Sequence, residues 1–218
     1  KIITVSFKKC DFDILQCRSI ADWINIGMIE YLYLISSLSP IVVNSFVQNL
    51  QGNRGTELLK KFVIYESPGI DISSLLSYLP LIRYISLAYC DFEISEFFYT
   101  VNNMPTKSLI ETAILSGNRN GRRIQPNQKY PPYLRELNLS DINWDPDSIR
   151  NIFITFMAHK PKRNPEKITI KDSKDSSDFD EGGFDDEKED EDEESNEPLI
   201  KLDMSNAKMK DENWKEFF

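Results

Sequence analysis

Cys10, Cys17, Cys90 and a single His159 are the side chains of this 218-residue sequence best suited to hold a metal or act as a nucleophile. A structural zinc needs four such ligands, with cysteines paired at close spacing, and three cysteines without a CxxC pair plus one histidine cannot supply them. Reduced thiols acting as small buried hydrophobes are the simpler reading of Cys10 and Cys90. The stretch Ser116, Gly117, Asn118, Arg119, Asn120, Gly121 comes nearest to a phosphate-gripping turn. It lacks the GxxxxGK[ST] pattern, and no HExxH, GxSxG or GxGxxG occurs elsewhere, so zinc-protease, hydrolase and nucleotide chemistry have no anchor. His159 follows a Phe-rich segment at an expected helix C-terminus, where its ordinary role is at the surface or in offsetting the helix dipole. No catalytic residue, metal site or cofactor is assigned.

The net charge of -9 misleads. Residues 178–197 hold thirteen Asp or Glu and one Lys, and setting them aside leaves 25 basic against 22 acidic residues of the original 26 and 35. The body is weakly basic, and the acidity belongs to one segment. With so few apolar residues the segment cannot bury enough surface to offset its ordering entropy, so 172–197 is expected to be a disordered acidic insertion. Calcium is not its expected ligand, because the DxDxDG loop with a Glu at the twelfth position is absent. No run of 18 apolar residues and no secretory signal is visible.

The elements that carry these residues follow from an internal period. Residues 134–144 place Leu134, Leu137, Leu139, Ile142 and Trp144 at the same offsets as Leu199, Leu202, Met204, Ala207 and Met209 in 199–209. Copies recur at Ile2, Val5, Phe7, Cys10, Phe12; at Ile29, Leu32, Leu34; at Leu59, Phe62, Ile64; at Ile82, Ile85, Leu87, Cys90, Phe92; at Ile110, Ala113, Leu115, Asn118; and, more weakly, at Ile168 and Ile170. These put eight strands at a mean spacing of about 28 residues, long enough for a strand and a returning helix. Helical spacing recurs between them, in Ile14, Leu15, Ile20, Trp23, Ile24, in Val42, Val43, Phe46, Val47, Leu50, and in Ile149, Ile152, Phe153, Phe156, Met157. Asp145 is placed to cap the last of these helices and Pro146 to open it.

The pattern LxxLxLxxNxL resembles that of the leucine-rich-repeat superfamily, of the long ribonuclease-inhibitor-like type, across nearly the whole chain. The resemblance implies an α/β solenoid of about eight repeats, with a curved parallel sheet on the concave face and helices on the convex face. It implies one domain over 1–218, with the acidic insertion replacing the convex helix of the seventh repeat. Asn118 stands where the family keeps an asparagine that bonds neighbouring turns, and Cys10 and Cys90 are substitutes that the family accepts. The missing initial Met, and Trp214, Phe217 and Phe218 after the last strand, lead us to expect a piece of a longer array.

Alternation along each strand then selects the outward residues. Thr4, Ser6 and Lys8 are followed by Tyr31, Tyr33 and Ile35, by Lys61, Val63 and Tyr65, and by Tyr84, Ser86 and Ala88. Tyr31, Tyr33, Tyr65 and Tyr84, with Ile35 and Val63, are the expected partner-binding patch, exposed and in mutual contact, since tyrosine offers large contact area with a polar tip. A basic patch of Lys160, Lys162, Arg163, Lys167, Lys171 and Lys201 is expected toward the other end. Aromatic and basic groups are not interleaved, so nucleic acid is not the expected partner. By family analogy the chain would be a non-enzymatic cytoplasmic scaffold or regulator, CARMIL-like and cytoskeletal, with a nuclear location left open. A RanGAP-type GTPase activator, with an exposed Arg or Asn on a strand-to-helix loop, and an acidic histone-binding protein are the alternatives.

Overall fold

Wherever apolar residues alternate with polar ones over three to five positions, the chain extends, and the apolar half of each run turns to one side. The computed structural model describes residues 2–35, 38–104, 108–120, 124, 130–161 and 201–207. Within them lie seven strands: β1 (Thr4–Lys8), β2 (Tyr31–Ile35), β3 (Lys61–Tyr65), β4 (Tyr84–Ala88), β5 (Thr112–Ile114), β6 (Glu136–Asn138) and β7 (Lys201–Asp203). All pair in parallel, in chain order, as one sheet. Five helices lie in the connections: α1 (Ile14–Asn25), α2 (Pro40–Asn49), α3 (Ile72–Tyr78), α4 (Ile94–Asn102) and α5 (Pro146–Ala158).

One face of the sheet carries Leu32, Leu34, Phe62, Ile64, Ile85, Leu87, Ala113 and Leu137, all 0% exposed. They form a single core with the inner helix residues Ile20, Ile24, Val43, Phe46, Leu75, Phe97 and Ile149. Helix starts are fixed by their caps. Asp13 accepts from the Gln16 amide at 2.8 Å while the Gln16 side chain accepts from the Asp13 amide at 3.0 Å, a reciprocal capping box. Asp145 accepts from the Ser148 amide at 2.9 Å, and Pro146 occupies the first turn, as its fixed φ and missing N–H favour.

Successive strands begin 27, 30, 23, 28, 24 and 65 residues apart. The 23-residue step holds the shortest helix, α3, of seven residues. The expected strand at Ile168 and Ile170 lies outside the described residues, among which β6 pairs directly with β7 through Glu136↔Lys201, Leu137↔Leu202 and Asn138↔Asp203. Two isoleucines among lysines offer little apolar area, whereas Leu202, Met204 and Ala207 all pack on the core. The crossover from β6 to β7 contains α5. Residues 172–197 themselves lie outside the described residues.

Candidate partner-binding site

The sheet face opposite the core is organised in rows by the strand register. The first row runs Thr4, Tyr31, Lys61, Tyr84, Thr112, Glu136, Lys201. The second runs Ser6, Tyr33, Val63, Ser86, Ile114, Asn138, Asp203. Tyr31, Tyr33, Ile35, Val63, Tyr65 and Tyr84 are half-buried rather than fully exposed. Tyr31 and Tyr84 do not adjoin, because the register places Lys61 between them. The Lys61 ammonium sits 3.6 Å from the centre of the Tyr84 ring and 5.3 Å from that of Tyr33. The two rings are thus joined through a cation, whose attraction to an aromatic face is worth about 0.5–2 kcal/mol according to its exposure.

Toward β7 the face loses its aromatic character. Lys201 donates to Glu136 at 2.7 Å, and that hydrogen bond, followed by the charge of Glu136, raises the Lys201 pKa. Lys160 is exposed just beyond α5. Lys162, Arg163, Lys167 and Lys171, the rest of the expected basic patch, lie outside the described residues.

A second feature was not visible in the sequence. Immediately past the strands, at the fourth position after the first core residue, Lys9, Glu66, Tyr89, Gly117, Asp141 and Asn206 all have φ between +51° and +68°. For residues other than glycine and asparagine this left-handed conformation is costly. It is held by the neighbouring strand: Lys9, Glu66, Tyr89, Gly117 and Asp141 donate their amides to the carbonyls of Ile35, Ala88, Ser116, Ser140 and Ser205 at 2.9–3.1 Å. The parallel ladder thereby continues one residue into the turns.

These turns build a rim at the C-terminal ends of the strands. The Tyr89 ring stands 5.3 Å from that of Tyr65, nearly edge-on, and its hydroxyl donates to Asp141 at 2.8 Å. To reach Asp141 it crosses Gly117, where a Cβ would lie 2.2 Å from the ring, so only glycine admits this path. Burial, then the charge of Glu66, raises the Tyr65 hydroxyl pKa, whereas Tyr89 is raised first by its bond to Asp141. Among the described residues neither Glu66 nor Asp141 has a cationic partner.

Beneath the rim, Asn118 is 5% exposed. Its amide nitrogen donates to the carbonyls of Leu87 at 2.7 Å and Leu115 at 2.9 Å, and its oxygen accepts from the Cys90 amide at 2.9 Å. Burial pushes the Cys90 thiol up to about 12 and the Cys17 thiol up to about 11. Neither forms a thiolate at neutral pH, so neither is a ready nucleophile or metal ligand. Among the described residues no three His, Cys, Asp or Glu side chains are grouped to hold a metal, and no helix is long and apolar enough to cross a membrane.

His159 departs from its expected surface role. Its Nε2 lies 3.0 Å from the Leu134 carbonyl, its ring packs edge-on to Tyr130 at 5.4 Å, and burial lowers its pKa. It therefore stays neutral where the unfolded chain takes up a proton. Between its lowered folded value and about 6.5 the unfolded state binds more protons, so stability falls as pH falls through that window and is constant above it. Urea unfolding at pH 7.5 and 5 should show a smaller acid-induced loss in His159→Gln than in the native chain; equal losses would remove His159 from the account.

Tyr89, Asp141 and Gly117, absent from the sequence-derived site, are therefore part of the surface that joins the tyrosines, and Lys61 moves from its edge to its centre. No family model matches the chain, and no curated protein matches it in sequence.

Proposed function

We propose that this chain is a leucine-rich-repeat module without catalytic activity, acting as a scaffold or regulator that binds a protein partner on the open sheet face. The carrying observation is the cluster of Tyr31, Tyr33, Lys61 and Tyr84 on a face that no described element covers. Buried aromatic and cationic anchors of this kind dominate the energetics of protein interfaces, and they are already ordered here by the register and by the Lys61 ammonium. The in-order parallel sheet, the recurrent left-handed turn and the Asn118 bonds to the preceding turn support the repeat assignment. A cytoplasmic regulator of the cytoskeletal kind is our preferred setting.

The GTPase-activating reading asks for an exposed Arg or Asn on a strand-to-helix loop, and Arg119 and Asn206 are both exposed just past strands. Arg119 occupies such a loop, but its guanidinium is engaged by the Asp91 carboxylate at 2.8 Å and by the Asp91 carbonyl at 2.7 Å. That engagement weighs against Arg119 as the activating residue.

Replacing Tyr33 and Tyr84 together by alanine should weaken capture of the native partner at least tenfold, since two anchors of this type are worth over 1.4 kcal/mol between them. The chain should remain folded, because both side chains are only half-buried. Undiminished capture by the folded double variant would sink the reading. If capture were instead abolished by deleting residues 178–197, the acidic histone-binding alternative would take its place.

A further inference from the structure

The rim at the strand ends has a chemistry distinct from the sheet face. Two tyrosine rings, Tyr65 and Tyr89, meet at 5.3 Å with an interplanar angle of 62°. Two exposed carboxylates flank them, Glu66 next to Tyr65 in the chain and Asp141 bonded to the Tyr89 hydroxyl at 2.8 Å. The arrangement is fixed rather than accidental. Glu66, Tyr89 and Asp141 occupy equivalent left-handed turn positions in three repeats, each anchored by its amide to the next strand, and Gly117 lets the Tyr89 side chain span the repeat between.

Among the described residues such a rim has no cation. Arg119, on a neighbouring turn, is engaged by Asp91, and among the described residues no lysine or arginine pairs with Glu66 or Asp141. Aromatic faces and carboxylates attract the same ligand by different means, the ring quadrupole and the full charge. A planar guanidinium satisfies both at once, stacking on a ring while its forked N–H groups bond a carboxylate. An ammonium is more strongly hydrated and bonds as a point charge, so it gains less from the same pair of surfaces.

We propose that Tyr65, Glu66, Tyr89 and Asp141 form a receptor for an arginine side chain carried by a basic segment of the protein partner. The assignment rests on the reading of this chain as a protein-binding module and names the chemistry of what it binds. The partner would lay its main contact on the Tyr33–Lys61–Tyr84 cluster and insert the arginine at the strand ends.

The test is calorimetric titration of the full chain with a decapeptide of alternating arginine and glycine, and with its lysine counterpart. The arginine peptide should bind, more tightly than the lysine one. Its Kd should rise about two- to fivefold in each of Glu66→Gln, Asp141→Asn and Tyr89→Leu, the loss expected for one exposed ionic or cation–aromatic contact. Tyr89→Phe, which keeps the ring, should lose less than Tyr89→Leu. Glu57→Gln, which removes an exposed carboxylate elsewhere, should leave the Kd unchanged, and circular dichroism melts establish that each variant is folded. The proposal is overturned if the arginine peptide fails to bind, or if the lysine peptide binds as tightly. It is also overturned if Glu57→Gln costs as much as the rim variants, which would assign the binding to the general acidity of the chain. Capture of the native partner by the Tyr33→Ala, Tyr84→Ala variant judges the sheet face separately, because that variant leaves the rim intact; either can fail alone.

Discussion

Asn118→Ala is expected to lower the unfolding free energy by about 3–4 kcal/mol, although it removes only a few atoms and leaves no large cavity. The carboxamide serves the Cys90 amide and the Leu87 and Leu115 carbonyls, in a site 0% exposed at each of these three residues. A buried group deprived of its partner costs about 1–3 kcal/mol, and three are left together. For a chain of this size the melting temperature should fall by roughly 10 °C. Asn118→Asp separates the two halves of the network: it keeps an acceptor for Cys90 but loses both donations, so it should be almost as damaging. A loss below about 1 kcal/mol in the alanine variant would mean that the turns are held by their backbone bonds alone.

The second large effect is expected from Phe62→Ala. Phe62 is fully buried on β3, and its ring stacks on Phe46 of α2 at 5.9 Å with an interplanar angle of 10°. Truncation removes the contact between the sheet and its helix layer and leaves a cavity that the register partners Leu32 and Ile85 cannot close, at a cost of about 3–5 kcal/mol. Phe46→Ala should cost a similar amount, and the double variant should cost less than the sum of the two, because each single change already destroys the stack. Strict additivity in chemical unfolding would show that the rings are energetically independent.

The register of the open face was legible because strands have a period of two: once Leu32 and Leu34, or Phe62 and Ile64, are placed inward, Tyr31, Tyr33, Lys61 and Val63 have nowhere else to go. Asn118 and the cap at Asp145 were legible for a similar reason, since each residue type has few backbone roles. The short helices α3 and α4 were less so, because Ile72–Tyr78 spans barely two turns and its apolar residues fit several patterns. The turn was hidden by its composition. Gly117, Asp141 and Asn206 are residue types that suggest φ > 0, but Lys9, Glu66 and Tyr89 do so at the cost of strain, and only the alignment of all six reveals the position. Tyr89 was therefore missed, and with it the rim. A regular period invites a strand at every step, and the one expected at Ile168 and Ile170 lies outside the described residues.

The left-handed turns also give the array a direction. In five of the six described instances the turn of one repeat is completed by atoms of the repeat after it: Lys9 by Ile35, Glu66 by Ala88, Tyr89 by Ser116, Gly117 by Ser140, Asp141 by Ser205. Side chains follow the same order, with Ser67 accepting from the Leu38 amide, Asn118 serving Cys90 and Leu87, and Arg119 holding Asp91. At the strand starts the dependence runs the other way, with Lys60, Arg83, Glu111 and Arg135 donating their amides to carbonyls of the repeat before. A repeat that loses its predecessor keeps its own turn intact, whereas one that loses its successor is left with a strained residue, an unbonded amide and, at β4, an orphaned buried carbonyl. Each repeat thus leans on its successor where its strand ends and on its predecessor where its strand begins, so the tyrosine face is held from both sides.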